Sequence, residues 1–155
     1  MLRYMEFGLS PLEVPGESSL CIYVSGCSLR CADCHYPELQ SVDEGEILSE
    51  HFENMLALYQ KHISCVCFMG EGDASCLSKK ELQEYQKLCH ERGYKFALYS
   101  GRNTEIEDWM LDFDYVKVGS YIGDRGSLSS PSTNQRMFMK HSSRKFFDIT
   151  YRFRE

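Results

Sequence analysis

Short apolar runs alternate along the chain with segments whose apolar residues recur at helical spacing. Four runs predict buried strands: "LCIYVS" (20–25), "ISCVCFM" (63–69), "KFALYS" (95–100) and "YVKV" (115–118). Each ends at a glycine or polar turn, and near-continuous apolar character fits a parallel sheet covered on both faces. Between them, Ser49 is placed to cap a helix with Glu50 and Glu53 near its positive end, and Phe52, Met55, Leu56 and Tyr59 form its apolar stripe. "SKKELQEYQKLCHERG" opens with a capping box, Ser78 and Glu81. It carries Leu82, Tyr85, Leu88 and Cys89 on one face, and Gly93 ends it. A shorter helix is predicted over Thr104–Met110, held by Ile106, Trp109 and Met110. Strands alternating with helices imply right-handed βαβ units and an α/β fold.

The C-terminus changes period. In "FFDITYRFRE", Phe147, Ile149, Tyr151 and Phe153 alternate with polar residues, predicting a half-buried strand that pairs with "RMFMK" (136–140) across a turn near Ser142 and Ser143. A short C-terminal β-hairpin or edge strand is therefore expected. Neither repeats nor linkers interrupt the pattern, so residues 1–155 read as a single domain.

Composition narrows the partners. The 155 residues are 43% hydrophobic and 26% charged with a net charge of -6, an ordinary balance for a soluble domain. With a pI near 5.4 and no basic stripe, nucleic acid is not expected as a partner. The N-terminus lacks the basic stretch and apolar core of a secretion signal, and the longest apolar run is too short to cross a bilayer. A cytoplasmic protein with no membrane partner is the expectation. Eight cysteines in a reducing compartment point to metal rather than disulfides.

The polar motifs follow the predicted strands in order. "GCSLRCADCH" (26–35) comes after the first, "GEGD" (70–73) after the second, "SGR" (100–102) after the third and "GSYIGDRG" (119–126) after the fourth. In βα architectures ligands bind where the loops at the carboxyl ends of strands converge. Cys27, Cys31 and Cys34 concentrate soft ligands in the first loop, with His35 beside them. No second CxxC knuckle completes a zinc ribbon, and His35 is too close in sequence to reach the same ion easily. Thiolates also hold iron–sulfur clusters, normally four per cluster. The spacing by itself leaves zinc and iron–sulfur both open. Cys21, Cys65, Cys67, Cys76 and Cys89 are dispersed and read as small buried hydrophobes. His51, His62, His90 and His141 form no HxH or HxxxH pair, among themselves or with His35.

The CxxxCxxC pattern of Cys27, Cys31 and Cys34 resembles the signature of radical S-adenosylmethionine (SAM) enzymes. "CHYPELQ" is similar to the "CHNPE" form of the anaerobic ribonucleoside-triphosphate reductase activating proteins. "CVCFMGEGD", "YSGR" and especially "FDYVKVGSYIGDRGSLSSPSTNQRMF" resemble later blocks of that family, from about residue 14 to "DITYRF". The resemblance implies an open partial (βα) barrel, since about four βα units cannot close an eight-stranded one. It implies that the three cysteines hold a [4Fe–4S] cluster whose fourth iron is left to chelate SAM. An electron from the cluster then splits the sulfonium bond to give methionine and a 5′-deoxyadenosyl radical. That radical would abstract hydrogen from a glycine of the reductase large subunit, with flavodoxin or a similar protein as electron donor. No side chain is expected to act as acid, base or nucleophile.

The resemblance also assigns a SAM cradle. Gly70, Glu71, Gly72 and Asp73 stand where the superfamily has a glycine-rich acidic turn for the SAM amino group, with Glu71 and Asp73 both candidates for the acidic role. Lys117 either faces the SAM carboxylate or a nearby acid or reaches solvent along its apolar stem, and Ser100, Arg102 and Gly119 line the same pocket. "SPSTNQR" (130–136) either fixes a loop by side-chain-to-backbone bonds or shapes the site or docks the partner. The alternatives are a radical SAM enzyme acting on a small molecule such as a deazapurine precursor, an activase of pyruvate formate-lyase-type enzymes, or a non-catalytic metal-binding module.

Overall fold

The computed structural model describes residues 2–25, 45–71 and 76–154, with residues 76–78 described as backbone only. Among the described residues eight strands form one mixed sheet: β1 (Arg3–Ser10), β2 (Ser19–Val24), β3 (Glu46–Ile47), β4 (Cys65–Glu71), β5 (Lys95–Ser100), β6 (Tyr115–Val118), β7 (Arg136–Ser142) and β8 (Lys145–Asp148). Their spatial order is β3-β1-β2-β4-β5-β6-β7-β8. The central four, β2, β4, β5 and β6, are parallel, and antiparallel strands flank them on both sides.

Each parallel strand lies beside its predecessor, so successive crossovers step in one direction. With crossovers of one hand, such stepping puts the connecting helices on the same face. Helix α1 (Phe52–Tyr59) and helix α2 (Cys76–Glu91) accordingly share one core. Phe52, Met55, Leu56, Leu82 and Cys89 pack against Leu20, Ile22, Val66, Phe68, Phe96, Leu98 and Val116. Period-two alternation sends the intervening residues to the other face. There Cys21, Cys65, Cys67, Ala97 and Tyr115 are covered by Val14, Leu128 and Ile149 rather than by a helix layer.

The four apolar runs form the four central strands. Gly93, at φ 84, ends α2: its N–H donates to the His90 carbonyl, and the Tyr94 N–H donates to the Cys89 carbonyl. Other boundaries differ. Ser49 lies within a 3-10 helix (Leu48–Glu50), and α1 begins after His51 without a side-chain cap bond. Helix α2 starts at Cys76, ahead of Ser78, while the Glu81 carboxylate accepts from the Leu2 N–H at 2.8 Å. The helix expected over Thr104–Met110 shrinks to a 3-10 turn, Asp108–Met110.

The hairpin of β7 and β8 turns at Arg144, the one described non-glycine residue with positive φ. The strand expected through Phe153 ends at Asp148 and gives way to a 3-10 helix, Thr150–Arg154. Local bonds compete with the ladder here. The Asp148 carboxylate accepts from the Thr150 N–H at 2.9 Å, and the Thr150 hydroxyl accepts from the Met137 N–H at 2.9 Å. Ile149 stays buried, but Tyr151 is left exposed.

Candidate functional site

At the carboxyl ends of the parallel strands, three of the four expected loops begin within the described residues and meet along one rim. Gly70 and Glu71 end β4, Ser100 ends β5, and Gly119 follows β6. The Gly101 N–H donates to the Glu71 carbonyl at 2.7 Å, and the Gly119 N–H donates to the Arg102 carbonyl at 2.7 Å. Backbone bonds thus join the "GE", "SGR" and "VG" segments side by side. Cys27, Cys31, Cys34, His35, Gly72 and Asp73 lie outside the described residues. The segment carrying the three cysteines leaves β2 at Ser25, at the same end of the sheet.

Side chains tighten this rim. The Arg102 Nε donates to Glu71 Oε1 at 2.9 Å, with the two side chains only 13% and 2% exposed. The Arg102 guanidinium also lies 5.7 Å from the centre of the Trp109 ring. Ser100 is fully buried, and its hydroxyl accepts from the Arg102 N–H at 3.1 Å. Lys117 is buried. Its Nζ donates to the Gly119 carbonyl at 2.7 Å and the Ser100 carbonyl at 3.2 Å, and it sits 5.9 Å from the Tyr99 ring centre. A buried ammonium needs such acceptors, because desolvation otherwise disfavours its charge. Lys117 therefore straps the end of β5 to the end of β6.

Gly119 has a clear steric reason. Its φ is +109, and a Cβ there would come within 3.0 Å of the Gln135 Cα and 3.2 Å of the Asn134 carbonyl oxygen. "SPSTNQR" thus lies directly against the rim. The Asn134 Nδ2 donates to the Ser120 carbonyl at 3.0 Å, and the Ser120 N–H donates to Asn103 Oδ1 at 3.0 Å. Asn103, Trp109 and Tyr99 are rim residues that sequence reasoning did not select. Adjacency of Asn103 to "SGR" was the available signal; Trp109 and Tyr99 read as core aromatics.

Three of the described cysteines, Cys65, Cys67 and Cys89, are poorly suited to metal. Cys21, Cys65, Cys67 and Cys89 are free thiols, 0–3% exposed. Burial pushes the Cys65 and Cys67 thiols well up, and burial with the Asp114 carboxylate nearby pushes Cys89 up to about 12. A metal ligand must be a thiolate, and these thiols resist deprotonation. Among the described residues no group of three or more His, Cys, Asp or Glu side chains is arranged to hold a metal ion. The triad Cys27, Cys31 and Cys34 lies outside the described residues, and Cys76 stands at the first position of α2. Among the described residues, no helix is long and apolar enough to cross a membrane.

A family model described as "4Fe-4S single cluster domain" matches residues 14–109, which run from the loop before β2 to the 3-10 turn before β6. No curated protein and no solved structure matches the chain.

Proposed function

The chain belongs to the 4Fe-4S single cluster domain family, and from that premise we propose that it is a radical SAM activase. In this reading it generates a glycyl radical on the large subunit of anaerobic ribonucleotide reductase. Cys27, Cys31 and Cys34 hold the [4Fe–4S] cluster and leave one iron for SAM. When bound, the cluster supplies the single electron that cleaves the sulfonium bond, delivered by flavodoxin or a similar donor. The sheet serves as one wall of an open partial barrel, with Gly70, Glu71, Gly72, Asp73, Ser100, Arg102, Lys117 and Gly119 cradling SAM.

The observation that carries this reading is the continuous rim at the carboxyl ends of β2, β4, β5 and β6. It brings an acid (Glu71), two cations (Arg102 and Lys117) and a glycine in the left-handed region (Gly119) beside the exit of the cysteine segment. An α-amino acid end needs an anion for its ammonium and a cation for its carboxylate, and the rim offers both. Glu71 is engaged by Arg102, so SAM binding at Glu71 requires the ammonium to share or displace that guanidinium.

A macromolecular partner is favoured over a small substrate by the opposite face of the sheet. Val14, Leu128 and Ile149 are 0–6% exposed and fill the space over Cys21, Cys67 and Ala97. A substrate presented at the open rim, such as a loop of another protein, needs no cavity there.

The test is anaerobic reconstitution followed by EPR of the reduced protein with and without SAM. The expected result is a [4Fe–4S] signal that SAM shifts, and a glycine radical doublet when anaerobic ribonucleotide reductase is added. Cys27→Ala, Cys31→Ala and Cys34→Ala should each abolish the cluster, whereas Cys65→Ala and Cys76→Ala should retain it. Zinc in place of iron, or a spectrum indifferent to SAM, overturns the proposal.

A further inference from the structure

One strand residue holds both ends of the cysteine-bearing segment. Where the chain enters that segment, the Ser25 N–H donates to the Arg3 carbonyl at 3.0 Å. Where it returns, the Arg3 Nη1 donates to the Gly45 carbonyl at 3.0 Å. The next residue repeats the contact: the Tyr4 hydroxyl donates to Glu46 Oε2 at 3.0 Å, and Tyr4 pairs with Glu46 across the β1–β3 ladder. The return is also sterically tight. Gly45 has φ +86, and a Cβ there would lie 2.2 Å from the Tyr4 carbonyl oxygen, far inside non-bonded carbon–oxygen contact.

We infer that Arg3 is a positioning residue for the iron–sulfur cluster, acting by clamping the exit of residues 26–44 to the strand that also binds their entrance. The inference rests on the proposed assignment of Cys27, Cys31 and Cys34 as ligands. Its physical basis is the coupling of metal binding to local chain order. Bringing the ends of a loop together costs conformational entropy. Arg3 and Gly45 meet that cost in the fold itself, so the thiolates need less ordering when the cluster arrives. Removing the Arg3 side chain leaves the backbone Ser25 bond and the β1–β3 pairing from Glu46 onward, and frees the Gly45 carbonyl alone. A hydrogen bond from a charged donor corresponds to roughly a tenfold effect on an equilibrium.

The experiment measures iron transfer from the anaerobically loaded full-length chain to a chromogenic chelator, alongside thermal unfolding of the unloaded protein. Arg3→Ala should lose iron about tenfold faster than wild type, while Arg3→Lys, which keeps one donor, should fall between. Arg92→Ala serves as control, because it removes an equal charge from an exposed pair with Glu53. Gly45→Ala should repeat the fast iron loss by pushing Tyr4 away, and it stands in for Arg3→Ala if that variant does not fold. Wild-type iron retention in Arg3→Ala and Gly45→Ala, or equal acceleration in Arg92→Ala, overturns the inference. So does faster loss that merely tracks a lowered melting temperature. A wild-type chain that takes up no [4Fe–4S] cluster fails before any substitution is made, and that outcome sinks the proposed function along with the inference.

Discussion

At the level of single residues, the rim turns on which charges are buried and what meets them. In the sequence Lys117 could be buried against a partner or reach solvent along its stem; the structure buries it between Val116 and Val118. Its acceptors were not legible. The Ser100 and Gly119 carbonyls reach its Nζ only because β5 and β6 pair Tyr99 with Lys117, and no local pattern specifies that register. The acidic role had two candidates in sequence, Glu71 and Asp73. Of the two, Glu71 lies within the described residues, 4% exposed and ion-paired to Arg102. Removing one partner of a buried pair leaves an uncompensated charge, so Arg102→Ala should lower stability by about 3 kcal/mol in urea unfolding. Adding Glu71→Gln to that variant removes the stranded charge and should recover part of the loss. A double variant less stable than Arg102→Ala would mean that the pair is not the main partner of either group.

At the level of elements, legibility followed burial. Strands covered on both faces read as apolar runs, and β2, β4, β5 and β6 fall within two residues of the expected ranges. Strand β1 gave no such signal. It is an antiparallel strand whose burial is mixed, with Glu6 and Leu9 exposed and a register shift between Tyr4 and Glu6. The C-terminal alternation misled for a different reason: period two is also compatible with a turn in which Asp148 and Thr150 satisfy nearby N–H groups. The central element energetically is β4. Its Phe68 is fully buried, with ring centres of Phe96, Tyr85 and Phe52 at 5.3, 5.4 and 6.3 Å. Phe68→Ala empties the junction of α1, α2 and the sheet and should cost about 3–5 kcal/mol, measured by chemical denaturation. A loss below about 1 kcal/mol would show that the helices collapse into the space.

At the level of the whole molecule, the unusual feature is a sheet whose face away from the helices is packed partly with thiols. Cys65 and Cys67 hold their protons in the fold because burial penalises the thiolate. Unfolded, the same groups ionise with an ordinary pKa near 8.5. Below that pH both states keep the proton and stability is unaffected. Above it the unfolded chain binds fewer protons, so stability falls as pH rises toward the raised folded values. The melting temperature should therefore decline from about pH 8.5 upward, and less steeply in Cys65→Ala/Cys67→Ala than in wild type, compared by thermal scans across pH 7–10. Equal slopes would place the alkaline sensitivity in other groups, Cys89, likewise raised by burial, being next. The amino-acid sequence alone determined the cysteine spacing, the run of central strands and the order of the polar loops behind them, because these depend on local hydrophobic period and turn chemistry. Tertiary structure alone decided that those loops share one rim, that Glu71 meets Arg102, and that Arg3 bridges both ends of a segment it does not belong to. Such contacts join residues from 17 to 42 positions apart, and only the pairing of strands in space brings them within reach.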